Sequence, residues 1–353
     1  MSYRNDPIIK IAKSVEKKTK IKTYPKVIED IISSIKATGN FWQVVRISQR
    51  PIPVVAETVR ILEKEKLIQI YDGEIKTTEE FGELFKRIPK FQFDFTCSEC
   101  DGRGINIKTI GIYDEFAEIR KKAPKPVQEY DQGNITPEST IGRISLMRIR
   151  GDVAGKKIIV LGDDDLVGIA LGLTRMPDEV LVLDIDKRLI DFTNDIAKER
   201  NLPVHAEVFD LREPLPKKLK AKFDVFVTDP PEAKKPFVIF IQKGIWTLKG
   251  EGCSGYIGMT LIDSSVPKWA ELQSIILKSG GAITDIIRDF NKYDIWDYHQ
   301  NTVAWKLAPA KSPADSIWYT SAIVRIEIVR KANVKNEKLK LKQMYVDIES
   351  TTT

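Results

Sequence analysis

Hydrophobic and polar positions change period along this chain, from helical spacing at the start to strand and helix in alternation after residue 157. Val27, Ile31, Ile32 and Ile35 share one face of a helix predicted over Val27 to Ala37, and Thr38-Gly39-Asn40 ends it. A short helix is expected from Phe41 to Ile47, and Pro51-Ile-Pro53 opens a third that runs to Glu65 with Val54, Val55, Val59 and Leu62 apolar. Leu67 to Ile70 and Glu74 to Thr77 then flank Tyr71-Asp72-Gly73, a hairpin signal. Three helices and a hairpin follow the winged-helix order.

From Lys157 onward apolar strands are predicted at Ile158 to Leu161, Val180 to Leu183, Val204 to Val208 and Phe223 to Val227, with helices at Val167 to Leu173 and Leu189 to Lys198 between the first three. Further strands are expected at Gly255 to Met259, Ala282 to Ile287 and Ile317 to Glu327. Strand and helix in alternation make a doubly wound, mostly parallel α/β sheet with right-handed crossovers the default. Prolines and a glycine keep residues 121–140 out of helix until Ser139 or Thr140 caps one that runs through Leu146 and Met147. The expected organisation is a winged-helix-like domain over 1–95, a connector over 96–140, a Rossmann-like catalytic domain over 141–332 and a flexible, lysine-rich tail over 333–353.

Length and charge modify this picture in three places. At 353 residues the chain exceeds one efficient core, which agrees with two domains. The formal charge of +6 is concentrated at the two ends, and the predicted third helix sets Glu57, Glu63 and Glu65 beside Arg60, Lys64 and Lys66. That balance favours a packing or dimerisation module over a nucleic-acid reader. No apolar run is long enough to span a bilayer and the start lacks a secretory core, so a cytoplasmic protein is expected; abundant Lys, Glu and Ile suit a thermophilic source. Of three cysteines, Cys97 and Cys100 form a CxxC turn, a structural-zinc candidate only if two copies together supply four thiolates.

The candidate chemistry lies at the strand ends. Gly162 is followed by Asp163, Asp164 and Asp165, where a nucleotide-binding turn normally carries several glycines. Asp184 closes the next strand, placed for ribose hydroxyls, with Asp186 beside it; Asp210 follows the third, placed for an adenine amino group, and Asp229 ends the fourth. This order resembles S-adenosylmethionine-dependent methyltransferases, and Asp229-Pro-Pro-Glu232 resembles the turn of amino-group methyltransferases, with Glu232 in place of an aromatic residue. Three acids would repel a methionine carboxylate. Decarboxylated S-adenosylmethionine ends in an ammonium instead, and each close charge pair is worth about 4 kcal/mol at an effective dielectric near 20, before desolvation.

Glu129-Tyr-Asp-Gln132, Thr136-Pro-Glu-Ser-Thr140, Leu161-Gly-Asp-Asp-Asp-Leu166, Leu183-Asp-Ile-Asp186, Thr228-Asp-Pro-Pro-Glu232 and Thr284-Asp-Ile-Ile-Arg-Asp-Phe-Asn291 together resemble the branched-chain polyamine synthase family over nearly the whole chain. The resemblance implies aminopropyl transfer from decarboxylated S-adenosylmethionine to the N4 amine of spermidine, with methylthioadenosine released, no catalytic metal, and a homodimer. It implies Asp164 as the catalytic acid; Asp229 is a second catalytic candidate, to share the base role or to grip the aminopropyl ammonium. Asp163, Asp165, Glu232, Asp263, Asp285, Asp289, Glu129 and Tyr130 are the candidate substrate neighbours, and Gly162, Asp184, Asp186 and Asp210 the candidate donor-binding residues. Asp294, Trp296 and Asp297 read first as ordinary loop residues, with Asp297-Tyr-His-Gln300 an alternative lining for the acceptor channel, and Trp305 and Trp318 as core residues in strand-like stretches. Two other readings stay open: a methyltransferase for an RNA or DNA amino group, and a non-enzymatic winged-helix regulator that senses a nucleoside or polyamine.

Overall fold

Amphipathic spacing near the start produces one helix more than expected. In this computed structural model, which describes residues 6–92, 96–106, 111–340 and 345–352, the lysine-rich start forms α1 (Pro7–Thr19), burying Ile11, Ala12 and Val15 and turning its lysines outward. The expected domain boundary at residue 95, Lys342 and Met1 to Asn5 lie outside the described residues. Next come α2 (Pro25–Ile35), α3 (Phe41–Ser48), α4 (Ile52–Lys64) and the antiparallel hairpin of β1 (Ile68–Tyr71) and β2 (Glu74–Thr77), all as expected, then α5 (Glu79–Leu84).

The core of this helical unit continues into the second half of the chain, taking in Ile262, Trp296 and Trp318. From α3, Trp42 donates its indole N–H to Ser312 O (3.1 Å), Asn40 its amide to Pro313 O (3.1 Å) and Arg46 its guanidinium to Ile317 O (3.2 Å). Trp305 and Trp318 are not in strands: both stand against Trp42, with ring centroids 5.7 and 4.7 Å away. Aromatic packing overrides the local strand pattern there.

After α6 (Tyr113–Lys121), α7 (Pro137–Ile149) begins earlier than expected. Its cap is Thr136, whose hydroxyl accepts from Ser139 N (3.3 Å), because Pro137 is pre-set for the first helical position. The sheet elements follow as β3 (Lys157–Leu161), α8 (Val167–Leu173), β4 (Glu179–Asp184), α9 (Lys187–Arg200), β5 (Val204–Val208), β6 (Val225–Thr228), α10 (Lys234–Thr247), β7 (Ser254–Met259), α11 (Val266–Lys278), β8 (Gly281–Lys292), α12 (Val303–Leu307) and β9 (Thr320–Ile328). They make a seven-stranded sheet in the order β5-β4-β3-β6-β7-β9-β8, parallel except for β9, which runs antiparallel to both neighbours. This is the methyltransferase-type doubly wound sheet. Apolar layers cover both faces, and the chain reverses direction across the sheet between β3 and β6. A crevice opens there, outside the carboxyl ends of the strands.

The expected flexible tail is not free over residues 345–352. Glu349 accepts from Ser265 Oγ (2.9 Å), Asp347 from Lys268 Nζ (2.8 Å), and Thr351 N donates to Asp263 Oδ1 (2.9 Å) while its carbonyl accepts from Ala304 N (2.7 Å). The correction has a simple cause: Asp263 and Lys268 are buried and need polar partners, which this segment supplies. Among the described residues no helix is long and apolar enough to cross a membrane.

Candidate active site

The turn after β3 separates its three acids. Gly162 takes φ +76°, a left-handed conformation that reverses the chain at the end of the strand. Asp163 is 2% exposed, and its two oxygens accept from Val167 N (2.6 Å) and Gly168 N (2.9 Å), capping α8. Asp165 is buried on the other side, accepting from Ile135 N (2.8 Å) and from Arg143 Nη1 (3.0 Å). Neither reaches the cleft, so both are corrected from substrate contacts to structural acids: their lone pairs are taken by a helix N-terminus and a guanidinium. Asp164 does line the cleft, and its side chain accepts from one backbone donor among the described residues, Gly133 N (3.0 Å).

Arg143, from α7, is the buried cation of the site. It bridges Asp165 and Asp229 Oδ2, and donates Nε to Asn291 Oδ1 (2.8 Å). Tyr293 adds its hydroxyl to Asp229 Oδ2 (2.8 Å). Asp229 therefore stands in the cleft wall with one oxygen committed, at the head of Pro230 and Pro231. Burial raises the Asp164 carboxyl well above the ordinary carboxylate range, and Asp165, Asp184 and Asp229 add to the rise. Burial lifts Asp165 to about 6, with Arg143 opposing. Burial works against the Arg143 charge as well, but Asp229 and Asp165 outweigh it and hold the proton more firmly than usual.

One end of the cleft is lined by Gly162, Asp184, Ile185, Phe209, Asp210, Leu211 and Phe240, a slot of apolar walls with acids at its rim. Asp184 accepts from Asp163 N and Asp186 N (both 2.7 Å), and Asp210 accepts from Arg212 N (2.9 Å). Asp186 is not in the lining: it caps α9 and pairs with Arg188 Nη2 (2.6 Å) and Gln132 Nε2 (3.0 Å).

At the other end Glu232 lines the cleft. Its Oε1 accepts from Thr260 N (3.3 Å) while Oε2 is buried without a hydrogen-bond partner among the described residues, and burial, then Asp263, raises its pKa well above normal. Tyr293, Trp296, Tyr298 and Tyr319 supply aromatic walls, which suit cations, while Tyr130, near Arg188, and Tyr345, near Asp210 and Arg212, line the cleft toward Asp184; Ser350 and Thr352 complete the lining. Trp296 thus belongs to the site rather than to an ordinary loop.

Four further candidates lie outside the cleft lining. Asp263 sits beneath it, accepting from Tyr319 Oη (3.0 Å) and Thr352 Oγ1 (2.7 Å), so it braces the wall. Asp285 is paired with Arg150 on the edge strand β8, and Asp289 takes φ +56° where β8 shifts register between Ile287 and Asn291. Glu129 is exposed on a short turn. Sequence reasoning missed Arg143, Tyr293 and Tyr319, whereas Tyr298 belongs to the Asp297–Gln300 stretch offered as a channel lining; the one signal for Arg143 was a charge inside the otherwise uncharged run Ser-Thr-Ile-Gly-Arg-Ile-Ser-Leu-Met. Cys97 is exposed and Cys100 Sγ accepts from Gly104 N (3.2 Å); among the described residues no group of three or more His, Cys, Asp or Glu side chains is placed to hold a metal ion.

Residues 111–352 match the model of the branched-chain polyamine synthase A C-terminal domain. The N(4)-bis(aminopropyl)spermidine synthase of Methanocaldococcus jannaschii is 43% identical, covering 98% of this chain and 99% of its own, and that of Thermococcus kodakarensis is 39% identical, covering 97% and 99%. The crystal structure of the branched-chain polyamine synthase from Thermus thermophilus, in complex with N4-aminopropylspermidine and 5'-methylthioadenosine, is 34% identical with a TM-score of 0.93, covering 98% of both chains.

Proposed function

The chain belongs to the branched-chain polyamine synthase family, and from that premise we propose that it moves aminopropyl groups from decarboxylated S-adenosylmethionine to the N4 amine of spermidine, giving N4-aminopropylspermidine and then N4-bis(aminopropyl)spermidine. Methylthioadenosine leaves at each transfer. The observation that carries the reading is the near-complete structural match to a synthase that holds both N4-aminopropylspermidine and methylthioadenosine.

The chemistry asks for an unprotonated nitrogen, although an alkylammonium has a pKa of about 10. Asp164 is the acid suited to take that proton: it faces the cleft, and burial and neighbouring acids have made it a stronger base than an ordinary carboxylate. The neutral N4 then attacks the carbon next to the sulfonium, the carbon–sulfur bond breaks, and its electron pair stays on methylthioadenosine. In the first transfer N4 ends with a proton to shed; in the second it becomes quaternary with none. Sulfonium leaves readily, so placement supplies most of the rate. Glu232, whose second oxygen has no partner among the described residues, and the aromatic walls are assigned to the outer ammonium groups. Asp184 and Asp210 are assigned to the adenosyl group, a reading supported by the apolar Phe209 and Phe240 that line the same cleft.

Among the described residues Arg212 is the one lysine or arginine in the lining, and Asp210 already holds it (2.7 Å). A donor carboxylate would therefore meet acids without a free counter-ion. Incubating the protein with spermidine and either S-adenosylmethionine or its decarboxylated form tests this: methylthioadenosine should form with the decarboxylated donor, and formation with the carboxylated donor alone would overturn the proposal.

A further inference from the structure

Helix α10 turns two side chains toward the nucleoside end of the cleft. Phe240 lines it, and one turn later Lys243 is 0% exposed within the run Phe-Val-Ile-Phe-Ile-Gln-Lys-Gly-Ile-Trp. Lysine is almost never fully buried without strong partners. Here the ammonium donates to the backbone carbonyls of Leu211 (2.7 Å) and Glu213. Those carbonyls belong to the turn after β5 that brings Asp210, Leu211 and Arg212 into the cleft wall. Because β5 is an edge strand with a partner on one side, its own ladder gives that turn little support. A leucine or methionine would fill the same place in α10 without the cost of burying a charge. What the lysine adds is a tether from the helix to the turn. Burial lowers its pKa to about 8, with Asp210 and Glu213 opposing.

We infer that Lys243 is a positioning residue for the donor: its ammonium holds the Asp210–Arg212 turn in the conformation that receives the adenosyl group. The inference rests on the donor reading above. In Lys243→Met the KM for decarboxylated S-adenosylmethionine should rise about tenfold, the equivalent of one charge-assisted hydrogen bond, while the KM for spermidine and kcat at saturation stay near wild type. Methylthioadenosine should raise the melting temperature of the variant less than that of wild type, and spermidine should stabilise both alike. Equal rises in both KM values, or a lower melting temperature with an unchanged donor KM, would overturn it. Lys243→Gln, whose amide still reaches one carbonyl, serves if the methionine variant does not fold, and a smaller donor-selective rise is expected from it. Should wild type release no methylthioadenosine from the decarboxylated donor, the functional reading fails; the methylthioadenosine-induced melting shift still decides whether Lys243 orders a nucleoside site.

Discussion

Three adjacent aspartates meet three fates in one turn, because each successive side chain points at a different neighbour. Asp163 meets the N–H groups at the start of α8, Asp165 meets Arg143, and Asp164 meets the cleft. Three acids after one glycine make an acidic ligand site legible and disfavour an anionic ligand, and the family resemblance points to Asp164, but the partners that withdraw Asp163 and Asp165 from the cleft are not legible. Asp164→Asn should lower kcat by about 10³-fold, within the range for a lost general base, while donor binding, read by calorimetry with methylthioadenosine, stays near wild type. The pH profile provides a second check. A carboxyl raised by burial and by like charges must lose its proton at a higher pH than usual, so the acid limb of kcat/KM should lie above the ordinary value of about 4.

Whole elements were legible where the apolar period was strong. The strands β3, β4, β6 and β7, almost wholly buried, the half-exposed edge strand β5 and helices α2 to α4 stand within a few residues of expectation. Element ends and roles were harder: α1 hid behind its lysines, and α7 starts at a proline that argued locally against helix. One close approach between elements could not be read from either alone. A Cβ on Gly258 of β7 would lie 1.9 Å from Asp229 Oδ1, so the bare backbone of β7 makes room for the cleft carboxylate at the end of β6. Gly258→Ala should therefore push Asp229 out of place and reduce methylthioadenosine release about 10²-fold, with a melting temperature much closer to wild type than that loss suggests.

At the scale of the molecule, the described residues of the site include more buried acids than cations to balance them. Asp163, Asp164, Asp184, Glu232 and Asp263 all have raised pKa values, in each case first through burial. A carboxyl whose folded value lies above its unfolded one binds its proton more tightly in the folded state. Its contribution to stability is full below the unfolded value and is lost as pH rises through the folded one. The ligand-free protein should accordingly lose melting temperature as pH is raised from about 4 toward neutrality, and spermidine should flatten that slope by supplying the missing positive charge; a melting temperature that rises over the same interval would contradict the account. The doubly wound sheet and the acidic strand ends are legible along the chain, because periodicity and charge are local properties. Tertiary packing settles that Asp164 lines the cleft while Asp163 and Asp165 do not, that Arg143 joins Asp165 to Asp229, that residues 345–352 pack against Asp263 and Lys268, and that Asp285 and Asp289 stand apart. Those outcomes depend on which distant groups converge in space and exclude water, and spacing along the chain does not encode that.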